Sequence, residues 1–223
     1  MIFFDLDDTL LDHNSASRAG AAKFYETFRS DFDEELESFL VRWETVAEKY
    51  FQSNNSFPYS LLEQRRMRMR DIFSTPPTDE EADARFQIYL DAYELNWRLY
   101  PDSISCLKTL QDHKLGLITN GESEQQRSKI QKLGLGPYLS TIIISREVDC
   151  AKPEKAIFEL AAKQAGVNVK DCLYVGDRLQ TDALSCQKAG MKGIWLDRQG
   201  KGVDGEFEIT VIRSLMELPG LLQ

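Results

Sequence analysis

No apolar run in this sequence approaches the roughly 20 residues of a membrane-spanning helix, which excludes a helical span. Positive charge is in deficit: 27 Lys and Arg stand against 36 Asp and Glu, for a formal net charge of −9. That balance argues against sequence-independent binding to nucleic acid or to an anionic membrane, since both need a basic surface. Cysteine is scarce and scattered. Cys106, Cys150, Cys172 and Cys186 form no Cys-x-x-Cys pair, so neither zinc spacing nor a disulfide framework is expected; they read as reduced thiols of a cytoplasmic protein. Of the two histidines, His13 reads as a loop or capping residue and His113 as a surface residue. Internal repeats and low-complexity tracts are absent. The first expected strand begins at residue 2, which leaves no room for a removable leader.

What is present is material for a core. With 223 residues, 42% of them hydrophobic and 10% aromatic, the chain suits one domain carrying a large insertion, or two small domains. Ile2, Phe3 and Phe4 form a short apolar run that reads as a buried strand, and it ends in Asp5, Leu6, Asp7, Asp8 and Thr9. Carboxylates this close repel one another, so folding alone gains nothing from them; holding a cation, or keeping one protonated for chemistry, makes the charge tolerable.

After Asp12 the pattern becomes helical. Ala21, Phe24, Tyr25 and Phe28 share one helix face, as do Leu36, Phe39, Leu40, Trp43, Ala47 and Tyr50. A chain break is expected at Pro58, then a weaker helix marked by Leu62, Met69 and Phe73, and a second break at Pro76 and Pro77. Thr78 with Glu81 makes a capping box, opening a helix with Phe86, Tyr89, Leu90, Tyr93 and Trp97 on one face. Four such helices make a bundle. The third carries Arg65, Arg66, Arg68 and Arg70. The plain reading of these is a solvated face offset by acids such as Glu63 and Asp71, because surface pairs contribute little. In the sharper reading one or two of them meet an anionic part of a substrate.

From Pro101 helix and strand alternate. Strands are expected at Leu115–Ile118, Ile142–Ile144, Cys172–Val175 and Gly193–Leu196, with a weak last one over Ile209–Ile212. Pro153 suits the first turn of a helix running to about Ala165, and another helix is expected from Thr181 to Ala189, with Gly190 as its C-cap. This alternation predicts an α/β fold, a Rossmann-like doubly wound parallel sheet, with an α-helical bundle cap inserted into it. The expected core is residues 1–13 with 101–223, and the expected cap is 14–100. Because the insertion leaves directly after the acidic cluster, it should hang over that cluster and exclude water from it.

Ligands of open α/β sheets bind beyond the carboxyl ends of the strands. Those ends offer Asp5, Asp7 and Thr9; Thr119, Asn120 and the backbone of Gly121; Lys152; and Asp177 with Asp182. Clustered carboxylates suit a hard cation such as Mg²⁺, which favours one or two carboxylates plus phosphate oxygens and water. A hydroxyl, an amide and free N–H groups at a helix start suit a phosphate, and the lysine adds positive charge. The set describes a phosphate monoester beside a nucleophilic carboxylate, with Asp5 attacking phosphorus and Asp7, two residues on, exchanging protons with the leaving oxygen and water. The implied partner is a small phosphorylated molecule.

The four motifs, Asp-x-Asp-x-Thr at 5–9, an apolar strand ending in Thr119-Asn120-Gly121, Lys152-Pro153, and Gly176-Asp177 with Asp182, resemble those of the haloacid dehalogenase superfamily of phosphohydrolases. The helical insertion is similar to the cap of its phosphoglycolate phosphatase, β-phosphoglucomutase and small nucleotidase subgroup, with general similarity to nucleotidase-like and acylneuraminate-9-phosphatase-like members. The resemblance implies Asp5 as nucleophile and metal ligand, and Asp7 as acid/base that also gives Mg²⁺ its backbone carbonyl. It implies Asp177 as the further ligand, Asp182 orienting the shell and Lys152, and Thr119 and Asn120 on phosphate oxygens. Family phosphatases often have Gly where this chain has Asp8. Asp7 argues against dehalogenation, which has no leaving alkoxide to protonate. Two alternatives stand beside the phosphatase: a phosphomutase of the β-phosphoglucomutase type, sharing all four motifs, and a non-catalytic metal-binding or regulatory module.

Overall fold

The computed structural model describes residues 1–52, 60–200, 202, 205 and 207–222. The chain divides into two compact units, Met1–Asp12 with Arg98–Gln223, and His13–Trp97. The chain break expected at Pro58 lies outside the described residues.

The first unit is built on a six-stranded sheet in the order β3-β2-β1-β4-β5-β6. Its strands are β1 (Ile2–Phe4), β2 (Leu115–Thr119), β3 (Thr141–Ile144), β4 (Leu173–Gly176), β5 (Lys192–Leu196) and β6 (Thr210–Ile212), and every neighbouring pair is parallel. The apolar runs are continuous, not alternating, because the central strands β1, β2 and β4 are buried along their whole length. The helices α5 (Ser103–Thr109), α6 (Ser123–Lys132), α7 (Ser145–Val148), α8 (Lys155–Gln164) and α9 (Leu184–Ala189) belong to this unit. Phe3, Ile118, Ile143, Ile157, Phe158, Ala161 and Tyr174 form one buried cluster. Strand order runs outward from β1 to β3, then restarts at β4 on the other side of β1. The switch point lies between β1 and β4, where crossovers depart in opposite directions and leave a crevice at the carboxyl ends.

Two local expectations are corrected. Pro153 does not enter a helix: α8 opens at Lys155 after Glu154 in extended conformation, and the Lys152–Pro153 peptide is cis. The segment after Asp177 begins with a π-helical turn, Leu179–Ala183, before α9. Single π-turns of this kind occur frequently at functional sites, and this one carries Asp182.

The second unit contains α1 (His13–Thr27), α2 (Leu36–Gln52), α3 (Leu61–Ile72) and α4 (Asp79–Leu95). Ser60 caps α3 through the Glu63 N–H, and the Thr78–Glu81 capping box opens α4 with both of its reciprocal bonds formed. The apolar stripes converge on aromatic rings: Phe24, Phe39 and Trp43 are buried to 2% exposure or less. Phe24 lies 6.2 Å from Phe39, 5.0 Å from Trp43 and 5.8 Å from Phe73 between centroids. The α3 arginines do not pair as their nearest acids in sequence suggest. Arg66 spans Asp79 and Asp83, and Arg70 also holds Asp79, while Asp71 takes Lys49 and Tyr50. Arg65 lies over Phe86, and Arg68 over Trp43, Phe86 and Tyr89. No described helix is long and apolar enough to cross a membrane.

Candidate active site

The site is assembled from turns at the carboxyl ends of the strands flanking the switch point. Asp5 continues β1, its N–H donating to Val175 O at 2.9 Å. The chain then folds on itself: the Leu6 carbonyl accepts from Leu10 N at 3.0 Å and Leu11 N at 2.9 Å. Leu6, Leu10 and Leu11 are fully buried and pin this loop to the core. The turn forces Asp8 to φ 57°, a left-handed conformation open to glycine and, through its short polar side chain, to Asp. Asp5 ends 7% exposed and Thr9 fully buried.

Lys152 is brought in by Asn120. The Asn120 amide donates to Lys152 O at 2.9 Å and its oxygen accepts from Lys152 N at 2.9 Å, so this side chain imitates a strand partner and fixes the lysine's backbone. The ammonium, 3% exposed, lies 2.8 Å from Asp5 Oδ1, 2.7 Å from Asp182 Oδ1 and 2.8 Å from the Tyr174 hydroxyl, partners for all three of its donors. Tyr174 in turn donates to Ile118 O at 2.9 Å.

Asp177 and Asp182 come from the end of β4. Asp182, fully buried, accepts from Arg178 N at 3.0 Å as well as from Lys152. Gly176 makes this packing feasible, because a Cβ there would sit 2.5 Å from the Asp182 carboxylate carbon. Thr9 Oγ1 donates to Asp177 Oδ1 at 3.4 Å. Asp5, Asp177 and Asp182 each offer one carboxylate oxygen, and these oxygens lie within 4.8 Å of one another.

This crowding shows in proton affinity. Burial pushes the Asp5 carboxyl up to about 7; the Lys152 ammonium opposes this, and the Asp182 and Asp7 charges add to it. Asp177 is raised well above the usual carboxylate range by burial first and then by Asp182, Asp5 and Asp8. Burial works against the charge of Lys152, yet Asp182 and Asp5 outweigh it and hold the ammonium above its ordinary range. More negative charge is buried here than one lysine offsets, which is the electrostatic requirement of a cation site.

Asp7 points into a different set of partners. Lys129 Nζ lies 2.7 and 2.9 Å from its two oxygens, and Gln126 Nε2 donates to Asp7 Oδ2 at 3.0 Å. The same amide nitrogen reaches Thr119 Oγ1 at 2.7 Å. Lys129 and Gln126 are each 1% exposed, and no motif includes them. The available signal is spacing: 126, 129, 130 and 133 form one stripe on a helix otherwise polar all round, and a stripe containing Lys and Gln is easily read as surface. Gly121 has φ 143°, and a Cβ there would meet Gln126 at 3.0 Å; its N–H donates to Ser145 Oγ at 3.1 Å.

Comparison with known proteins gives a consistent picture. Residues 1–190 match the family model for haloacid dehalogenase-like hydrolases. The chain is 27% identical to N-acylneuraminate-9-phosphatase of Mus musculus, over 100% of this chain and 93% of that protein. It is 30% identical to glyceraldehyde 3-phosphate phosphatase of Methanopyrus kandleri, over 97% and 95%. Among solved structures, the magnesium-bound HAD-hydrolase YfnB from Bacillus subtilis superposes with a TM-score of 0.83 at 22% identity, covering 100% of this chain and 97% of that one.

Proposed function

The chain belongs to the haloacid dehalogenase-like hydrolase family, and from that premise we propose that it is a Mg²⁺-dependent phosphatase of a small phosphate monoester, a sugar phosphate or a nucleotide, working through an aspartyl-phosphate on Asp5. The observation that carries the reading is the burial of Asp5 at the switch point, 2.8 Å from the Lys152 ammonium and grouped with Asp177 and Asp182. Both N-acylneuraminate-9-phosphatase and glyceraldehyde 3-phosphate phosphatase cover almost the whole chain, which supports a substrate of that class.

The donor set fits Mg²⁺: hard carboxylate oxygens, crowded enough to raise the proton affinity of Asp5 and Asp177, matching an ion that takes few carboxylates and keeps sites for phosphate and water. Asp5, Asp177 and the Asp7 main-chain carbonyl would hold it. Both oxygens of Asp182 already accept hydrogen bonds, which supports a role for that residue in orienting Lys152. When bound, the ion supplies positive charge that lets an anionic nucleophile approach a phosphate dianion.

Asp5 Oδ attacks phosphorus in line; the Asp5 O–P bond forms as the ester P–O bond breaks, and Asp7 gives a proton to the departing oxygen. Asp7 then takes a proton from a water whose oxygen attacks the phosphorus, breaking the Asp5 O–P bond and releasing inorganic phosphate. Lys152 keeps Asp5 aimed and offsets phosphate charge. Thr119, with Asn120 and Gly121 behind it, forms the phosphate-facing end of β2, Asn120 acting chiefly by anchoring Lys152. Thr9 orients Asp177. The helical unit, His13–Trp97, is assigned to substrate selection.

The test is phosphate release from N-acylneuraminate 9-phosphate, glyceraldehyde 3-phosphate, nucleoside 5′-monophosphates and p-nitrophenyl phosphate, with Mg²⁺ and with chelator. Release that chelator abolishes and Mg²⁺ restores is the expected result. An isomerised sugar phosphate in place of inorganic phosphate, or no turnover of any ester, refutes the proposal.

A further inference from the structure

Lys129 is a long cation, 1% exposed, on a helix whose other side faces solvent. Burying an ammonium is expensive unless it is paired and hydrogen-bonded, so its location needs a partner worth the cost. Both oxygens of Asp7 lie within 2.9 Å of it. Gln126, one turn earlier on α6, bonds Asp7 Oδ2 and Thr119 Oγ1 through one amide nitrogen. The pair thus ties the end of β2 to the loop after β1. The Lys129 side chain is 2% exposed and that of Asp7 27%: the lysine grips the carboxylate from behind and leaves it reachable from the open side.

We propose that Lys129, assisted by Gln126, is a positioning residue that fixes the Asp7 carboxyl group, which gives its own proton to the leaving oxygen, an inference that rests on the phosphatase reading above. The lysine acts through Asp7, because its ammonium is buried against both oxygens of that carboxylate. Proton transfer is sensitive to placement, and a shift of about 1 Å in a reacting group can cost about 100-fold. In the half-reaction that forms the phospho-enzyme, a side chain acting through Asp7 affects only esters whose leaving oxygen needs a proton delivered. An alkyl phosphate, which leaves as a poor alkoxide, depends on that proton; p-nitrophenyl phosphate, which leaves as a stable phenolate, hardly does.

The experiment compares kcat/KM of wild type and Lys129→Met with Mg²⁺, on a nucleoside 5′-monophosphate or sugar phosphate the wild type turns over and on p-nitrophenyl phosphate. The ratio kcat/KM reports only steps up to formation of the phospho-enzyme. The alkyl ester is expected to lose about tenfold or more, through kcat, and the aryl ester less than about threefold. In an Asp7→Asn background, Lys129→Met is expected to add less than about twofold, because its target is gone. If Lys129→Met does not fold, Gln126→Leu reads the same selectivity with a smaller amplitude. Equal losses on both esters, a rise in KM as the main effect, or full additivity with Asp7→Asn overturns the proposal while leaving the phosphatase intact. Absence of Mg²⁺-dependent hydrolysis by the wild type overturns both.

Discussion

Two groups of buried side chains in this molecule are held together by opposite means. In the helical unit, Phe24, Phe32, Phe39, Trp43 and Phe73 are buried against one another with centroids 4.7 to 6.4 Å apart, and each removes apolar area from water, worth roughly 1.5–3 kcal/mol per ring. At the strand ends, buried Asp5 and Asp182 share one lysine with half-buried Asp177 grouped beside them, and Asp5 and Asp177 have raised proton affinity because burial and like charge penalise their ionised forms. The first arrangement stabilises the fold it belongs to. The second strains it, and is kept in place by β1, β4 and the loop clamps around it. A cluster that costs stability yet is braced on every side by Tyr174, Asn120 and Thr9 has its explanation in chemistry.

Asp5→Asn breaks the comparison hardest, because it separates the two quantities. Steady-state hydrolysis is expected to fall by about 1000-fold or more, as for loss of a nucleophile elsewhere, while the thermal midpoint of the metal-free protein rises, since a penalised charge has been removed. Turnover and melting measured on the same preparation check it. A variant that keeps normal turnover, or one that melts lower without metal, contradicts the assignment of Asp5.

Much of the strained cluster was legible in the sequence, and the reason is local. Asp5, Thr119, Lys152 and Asp177 each follow an apolar strand or enter a turn, and parallel strands with right-handed crossovers leave little choice about where their carboxyl ends meet. The capping box at Thr78 and Glu81 was legible for the same reason, being settled within four residues. What required three dimensions were the partners. Arg66 and Arg70 are nearer in sequence to Glu63 and Asp71, yet their pairs come from the first two turns of α4, which depends on how α3 and α4 pack. Lys129 and Gln126 are set by the rotation of α6 about its axis, which polar residues on all sides leave undetermined. The π-helical turn at Leu179–Ala183 has no sequence signature, and the cis peptide before Pro153 is one of two states that an X-Pro bond allows.

Changing pH without changing a residue sharpens the contrast. The folded-state pKa of Asp5 is raised from 3.8 to about 7, so between these values the native state binds more protons than the unfolded chain. Stability then falls as pH rises through that window, by about 1.4 kcal/mol for each pH unit crossed. Asp177 pushes in the same direction. Asp102, held below its usual range by Arg198, Ser214 and the Leu215 N–H against the opposing effect of burial, contributes stability that disappears only on acidification below the window. Metal-free protein is therefore expected to melt progressively lower from about pH 5 to about pH 7.5, a loss of a few kcal/mol, and saturating Mg²⁺ is expected to raise the midpoint more at the upper pH than at the lower. A metal-free melting point that stays level or climbs over this range removes the electrostatic argument.

Phe39→Leu probes the other side of the comparison and carries the smallest effect. Phe39 is fully buried, its ring centroid 4.7 Å from Phe32, 5.2 Å from Tyr25, 5.8 Å from Trp43 and 6.2 Å from Phe24, with the Arg42 guanidinium 5.4 Å over its face. Leucine keeps most of the apolar burial and loses the ring geometry, so the cost is the aromatic part together with a small residual void, about 1–2 kcal/mol. The phenylalanine and tryptophan rings around Phe39 carry no proton that titrates between about pH 5 and pH 7.5. The loss read by denaturant unfolding should then be the same at both pH values and indifferent to Mg²⁺, in contrast to any change at Asp5 or Asp177. A Phe39→Leu penalty that varies with pH or metal would show that the two clusters are energetically coupled, and the division between a stabilising cluster and a strained one would have to be redrawn.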